Sequence, residues 1–303
     1  MEKEQKKVVI CGGSGFIGTH LTDALIKDGY KVSVIDLFPP KNKNVGFFKA
    51  NLTQTLDPNN FDGAYAVINV SGKNILTFPT KKNKYAIYNS RILTTRNIVE
   101  ALKKTKKRPV VFISASAIGY YGERGDEVLT EESSSGGDFI SNLCADWERE
   151  GKKAEVLGIR SVQIRTAPVL GEGGLLKKLS TFLKFGICLQ FGNGKQWFSW
   201  IYIEDLVEVY QFALENNLIL GPLNASTENP ARYKEFLLFL YPKKRFTLKI
   251  PIPKLVLRIV FGEMASVVVS SERALPQKLL RHKFSFQYPT LDAFFQDFRE
   301  STG

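Results

Sequence analysis

A chain of 303 residues, 44% hydrophobic and 24% charged, buries a sizeable core and is too ordinary in composition to be disordered or fibrous. No apolar stretch reaches the length of a membrane span, and three scattered cysteines (Cys11, Cys144, Cys188) exclude a disulfide framework. The net charge of +12 lies in short clusters such as Lys103-Lys104 and Lys152-Lys153, with no interleaved aromatics, so solvated faces are expected and no nucleic-acid partner.

The charged start, Met1 to Lys7, runs straight into an apolar segment and reads as neither a signal nor a transit peptide. With the cysteines suited to a reducing compartment, a cytoplasmic protein is expected. His20 and His282 flank nothing with metal-ligand spacing, so no metal is expected. Val8-Val9-Ile10-Cys11 reads as a buried parallel strand, followed by Gly12, Gly15 and Gly18 at three-residue spacing and an amphipathic segment from Thr19 to Asp28. Glycines there let the backbone turn sharply and approach a pyrophosphate, which the amides of the next helix then face. Lys31 to Ile35 reads as a second strand ending in Asp36, an acid placed to accept from the adenosine ribose hydroxyls.

Strand and helix go on alternating. Ala64 to Val70, Pro109 to Ser114 and Ser161 to Arg165 read as strands, and Ser90 to Lys104 and Phe139 to Glu155 as helices. Such βαβ repetition predicts an α/β, Rossmann-type doubly wound parallel sheet with ligands at the carboxyl ends of its strands. After Leu170 the pattern breaks into the glycine-rich Gly171 to Gly174, a helix from Leu175 to Phe185, a turn at Gly192-Asn193-Gly194 and a helix from Glu204 to Glu215. Beyond Asn224 come short apolar segments and a helix from Pro253 to Phe261. Residues 1–170 are therefore expected to form the dinucleotide-binding domain. Residues 171–303 form mainly a smaller, mixed closing lobe, with 195–225 returning to the sheet.

These residues resemble the extended (atypical) short-chain dehydrogenase/reductase superfamily, and within it the epimerase-family proteins once labelled cell-division-inhibitor-like, which carry a C-terminal closing domain. The likeness rests on Gly12 to Gly18, Asn69-Val70-Ser71-Gly72, Ser114 to Gly122, Cys144 to Glu148, Gly192 to Gln196, Trp200 to Asp205, Ala274-Leu275-Pro276 and Phe284-Ser285-Phe286. It implies an NAD(P) cofactor. Gly12, Gly15, Phe16, Ile17 and Gly18 would wrap the pyrophosphate, Leu52 would lie near the adenine, Ser71 and Gly72 against the ribose, and Ser114 to Ser116 beside the nicotinamide. The resemblance also implies an oxidoreductase or epimerase acting on a small molecule, with a nucleotide sugar as one substrate class.

The chain departs from the superfamily at the chemistry. No Tyr-x-x-x-Lys occurs anywhere, and Ile140 and Cys144 stand where anchoring on Glu148 puts that pair. Proton transfer is then expected from Ser116 with Tyr120 or Tyr121, and a non-catalytic, redox-sensing dinucleotide binder is the alternative. Arg165 reads as a substrate-anion ligand or as half of a local ion pair. The resembled family carries an arginine just past its second strand where this chain has Leu37. Together with the Asp36 carboxylate, which repels a 2′-phosphate, this favours NAD(H), with NADP(H) as the alternative if Lys41 and Lys43 fold back.

Overall fold

The computed structural model describes residues 5–75, 77–174, 176, 179, 185, 187–240 and 248–302, with side chains through 298. Seven parallel strands make the main sheet: β1 (Lys7–Cys11), β2 (Lys31–Asp36), β3 (Gly46–Lys49), β4 (Ala66–Asn69), β5 (Val111–Ala117), β6 (Arg160–Thr166) and β7 (Gly221–Ala225). Their order is β7-β6-β5-β4-β1-β2-β3. Helices α1 (Phe16–Lys27), α2 (Lys81–Lys104), α3 (Phe139–Lys152) and α4 (Ile203–Glu215) cover it.

The alternation of strand side chains decides which helix covers which face. Val8 and Ile10 of β1 pack with Leu21 and Leu25 of α1 and with Leu206, Val209 and Leu214 of α4. Val9 and Cys11 point the other way and pack with Ile98, Val99 and Leu102 of α2. Both faces are thus covered by helices, as a sheet of near-continuous apolar strands requires. The doubly wound parallel sheet expected from the sequence is the fold observed.

Several boundaries differ from the sequence expectation. Helix α2 begins at Lys81, well before Ser90, because Thr80 Oγ1 accepts from the Asn83 N–H at 3.1 Å and caps it there. Lys81 and Lys82 therefore start a helix, whereas Lys103-Lys104 and Lys152-Lys153 end theirs. The Phe139 to Glu155 segment divides into α3 and a 3-10 turn, Lys153–Leu157, which stops at Gly158 with φ +77°. Strand β3 has no long apolar run to betray it, being a largely exposed edge paired only to β2. The helix expected from Leu175 to Phe185 lies largely outside the described residues, as do Lys177-Lys178 and Lys243-Lys244-Arg245.

The smaller lobe has its own aromatic core, with Phe198, Trp200, Tyr233, Phe236, Phe294 and Phe295 all buried. Short pairings stitch it to the main domain: Arg273–Ala274 pairs with Val128–Leu129, and Ile201–Tyr202 pairs with Val169–Leu170. The buried Asp205 carboxylate at the start of α4 accepts from the Gln287 and Tyr288 amides at 2.6 and 3.2 Å, which holds the chain's last segment against that helix.

The turn from β1 into α1 admits almost no side chain. Gly12 has φ +87°, and a Cβ there would lie 2.7 Å from the Ser71 backbone. A Cβ on Gly18 would lie 2.3 Å from the Gly12 carbonyl oxygen, whereas one on Gly15 meets nothing closer than 3.4 Å. Gly18→Ala is therefore expected to lower stability by about 1–3 kcal/mol through overpacking. Gly15→Ala is expected to cost under about 1 kcal/mol, the difference between glycine and alanine at an N-cap. Urea denaturation of the two variants checks this, and a Gly18→Ala protein as stable as the parent would contradict the packing of the turn.

Candidate functional site

At the amino end of α1, Gly15 is the N-cap and supplies no side chain to accept from the first-turn amides. The N–H groups of Phe16, Ile17 and Gly18 are thus left for a ligand, at the positive end of the helix dipole. These residues border a cavity of about 520 Å³. It runs from the turn, past Ser71 to Ile75 on one side, to Ala115–Gly119 at the end of β5 and Thr166–Val169 at the end of β6. Gly12 forms the turn beneath this wall. At the far side of the turn, Asp36 ends β2, its carboxylate accepting from the Ser14 N–H at 3.1 Å and from the Leu37 N–H at 2.7 Å. Leu37 is exposed beyond it. The Leu52 side chain packs in the core under β1 and β2, and its carbonyl accepts from Asn97 Nδ2 at 3.1 Å.

Open first-turn donors, a glycine on the cleft wall whose added Cβ would meet only the Gly12 carbonyl at 3.4 Å, and a carboxylate one strand away fit a dinucleotide's pyrophosphate and ribose. Gly15 needs no special backbone freedom for this, with φ −75°. Its role is room for a ligand.

At the other end of the cleft, Ser116 is on the wall, and its Oγ donates to Glu148 Oε1 at 2.7 Å. Ser114 lies on the same face of β5 but deeper, fully buried, against Gly151 of α3. Arg165 grips Glu148 with two bonds, Nε to Oε1 at 2.8 Å and Nη2 to Oε2 at 2.9 Å. Of the two roles the sequence allows Arg165, it takes the ion pair. Its guanidinium lies 3.6 Å from the centre of the Tyr120 ring and donates to the Tyr121 hydroxyl at 3.0 Å.

That network corrects the role expected of the tyrosines. Tyr121 is fully buried, its hydroxyl lying 2.6 Å from Asn224 Oδ1 and 2.9 Å from the Thr130 carbonyl, and burial pushes its pKa up to about 12. It faces away from the cleft and cannot serve as its proton donor. Tyr120 is pressed against Arg165 and is not on the cavity wall either. Of Ser116, Tyr120 and Tyr121, the structure brings only Ser116 to the cleft.

Ile140 and Cys144 of α3 both line the cleft, one helical turn apart, where a tyrosine and lysine pair would act. Burial raises the Cys144 thiol to about 12, so it stays protonated and behaves as a small apolar group. Across from it, the Arg91 guanidinium lies 5.2 Å from the Trp147 ring centre and donates to the Lys73 carbonyl at 3.0 Å. Burial lowers its pKa from the usual guanidinium value.

Sequence reasoning missed Glu272, which lines the cleft from the smaller lobe. Burial, with Asp138 and Glu123 nearby, raises its carboxyl to about 8. Nothing local signals this. Ser270-Ser271-Glu272-Arg273 reads as surface, and the acid is carried inward by the pairing of Phe198 with Glu272 and by the Ser199 hydroxyl, which donates to the Glu272 carbonyl at 2.8 Å. The Ser116–Glu148–Arg165 chain was equally hidden, since its members sit on β5, α3 and β6.

Comparison with known proteins agrees with this geometry. Residues 8–222 match the NAD dependent epimerase/dehydratase family, and residues 252–298 match a domain of unknown function (DUF1731). The epimerase family protein YfhF of Bacillus subtilis is 34% identical over 288 residues, covering 94% of this chain and 95% of that protein. A chloroplastic SDR39U1 homolog of Arabidopsis thaliana is 32% identical over 298 residues, 95% of this chain and 85% of its own. The crystal structure of human epimerase family protein SDR39U1 (isoform 2) with NADPH superposes with a TM-score of 0.82 at 26% identity, covering 96% of this chain and 98% of that one. A nucleoside-diphosphate sugar epimerase from Corynebacterium glutamicum gives 0.77 at 31% identity; the match covers 96% of this chain but only 57% of that longer protein. The chain belongs to the NAD-dependent epimerase/dehydratase family and carries this C-terminal domain.

Proposed function

We propose that this protein binds a nicotinamide dinucleotide across the strand ends and acts as an oxidoreductase or epimerase on a small molecule, with NAD(H) preferred. The observation that carries this is the open first turn of α1 beside Gly15, joined by one continuous cleft to Ser116. Phe16, Ile17 and Gly18 would hold the pyrophosphate through backbone amides, Asp36 the adenosine ribose, and Ser71 and Gly72 the second ribose. When bound, the nicotinamide supplies hydride transfer. The chain's part is to orient the substrate against Ser116, whose hydroxyl is fixed by Glu148, and to shed water from the apolar wall of Ile140 and Cys144. The reducing environment that three buried, scattered cysteines suit fits a cytoplasmic location.

A second reading is favoured by one observation: the wall that should carry the acid–base pair carries Ile140 and Cys144 instead. A protein so built would bind the dinucleotide and report its redox state to a partner without turning over. Single-turnover oxidation of bound NADH with carbonyl and nucleotide-sugar substrates separates the two. Catalysis predicts NADH loss that slows about a hundredfold in Ser116→Ala, the lower end for a lost proton-transfer group. No turnover with any substrate would favour the sensor.

Gly15→Val is expected to abolish NADH binding in calorimetry while the protein stays folded, because Gly15 lines the cleft and a Cβ there meets nothing closer than the Gly12 carbonyl at 3.4 Å. Saturable binding that survives it would refute the site. NADH is expected to bind more tightly than NADPH, since a 2′-phosphate would meet the Asp36 carboxylate. The reverse order would overturn that preference, and a Lys41→Ala, Lys43→Ala double variant would then test whether those lysines supply the missing cation.

A further inference from the structure

The cofactor cleft opens into a second cavity of about 250 Å³, walled by Phe191, Trp197, Phe198, Tyr233, Val267 and Val268. The two share Ile118, Pro168 and Glu272, so they meet just beyond the end of β5, beside the wall that carries Ser116. Among the described residues lining the smaller cavity, Glu272 is the only one of the acidic or basic types. Its carboxyl makes no hydrogen bond or ion pair with any described residue.

The charged groups around Glu272 leave it no counterion. Asp138, at the start of α3, and Glu123 both disfavour its ionisation, and Glu123 is itself met by Lys254 at 3.5 Å. The neighbouring Arg273 turns its guanidinium onto the Trp197 ring, 4.3 Å from the centre. The Cys144 thiol on the facing helix is neutral. An ionised carboxylate facing aromatic rings would be unpaired, whereas a neutral carboxyl has one O–H to donate and lacks only an acceptor.

We infer that this pocket binds a small, uncharged, largely apolar molecule whose carbonyl oxygen accepts a hydrogen bond from the Glu272 carboxyl, and that it does not take the nucleotide part of a nucleotide sugar. The inference rests on the reading that the adjoining cleft holds the dinucleotide. The apolar wall stabilises the body of such a ligand by removing its surface from water. The shared residues leave its carbonyl at the mouth of the cleft, where the reactive end of the dinucleotide would lie. A diphosphate would find no cation among the described residues of this pocket to offset the loss of its hydration, so the pocket disfavours it by leaving its charge unpaired.

Acetophenone is the probe, titrated into the full-length protein by calorimetry with its carbonyl stretch followed by infrared difference spectroscopy. Saturable binding is expected at pH 7, with the stretch at lower frequency than in Glu272→Ala. With a carboxyl titrating near about 8, the neutral fraction falls from roughly nine-tenths at pH 7 to a tenth at pH 9, so affinity should drop about tenfold. Glu272→Gln keeps a donor and should bind with no pH dependence. Val268→Trp, which fills the pocket, should lose acetophenone while still binding NADH, which also shows that the variant is folded. Absence of acetophenone binding in a protein that binds NADH, a wild-type affinity unchanged between pH 7 and 9, or displacement of acetophenone by UDP-glucose would each overturn the inference. Acetophenone binding in a protein that fails to bind NADH would instead refute the cofactor reading and leave the pocket assignment standing.

Discussion

Everything in this site follows from where the sheet reverses its winding. With β4 on one side of β1 and β2 on the other, the chain must leave β1 at the point where the flanking crossovers diverge, and a crevice opens there. To use the crevice, the backbone has to turn within a few residues and begin a helix against the adjoining loop. Side chains would prevent that: a Cβ at Gly12 meets Ser71, and one at Gly18 meets the Gly12 carbonyl. Positions 12 and 18 can therefore pack only as glycine, and the by-product is a helix end whose first amides have no partner among the described residues. Asp36 adds a second constraint. By accepting from Ser14 and Leu37, it ties the end of β2 to the same turn, so the two halves of the expected dinucleotide site are held by one small hydrogen-bonded unit.

The far end of the cleft obeys a different logic. Arg165 is almost wholly buried, and a buried cation of that kind must be paired or it costs several kcal/mol. Glu148 pairs it bidentately, Tyr121 and the Glu131 carbonyl take further N–H groups, and Tyr120 covers the guanidinium face. The groups that sequence alone suggests for proton transfer are thus consumed in holding β6, α3 and the loop after β5 together. Ser116, itself buried, touches that network through Glu148 and lines the cleft. The same helix that anchors the network, α3, presents Ile140 and Cys144 to the cavity, which leaves the floor of the cleft drier than a phenol and an ammonium would make it.

The glycine turn, the second-strand acid and the parallel sheet were legible because each is local: a run of apolar residues, a spacing, a position after a strand. The seven-strand order itself follows from repeated βαβ units. What stayed hidden depends on side chains from distant segments. Tyr121 looked exposed to the cleft because it follows β5, yet one residue's rotation past Tyr120 turns it inward to Asn224 on β7. Glu272 reads as one more surface acid until the bridge to Phe198 carries it between two cavities. The start of α2 was missed because Lys81 to Lys84 carry no apolar periodicity, and only the Thr80 cap shows where the helix begins.

The most direct test of the central claim is amide hydrogen exchange with and without NADH, read at the Ser14 to Gly18 turn and at Ser71 to Asn74. Most of these amides lie outside sheet ladders, so a ligand bound there changes their exchange more than it changes the already protected strands. The account predicts slowed exchange in both segments together, with the Phe16, Ile17 and Gly18 amides most affected. Unchanged exchange at the turn under saturating NADH, or protection confined to some other part of the surface, would contradict it.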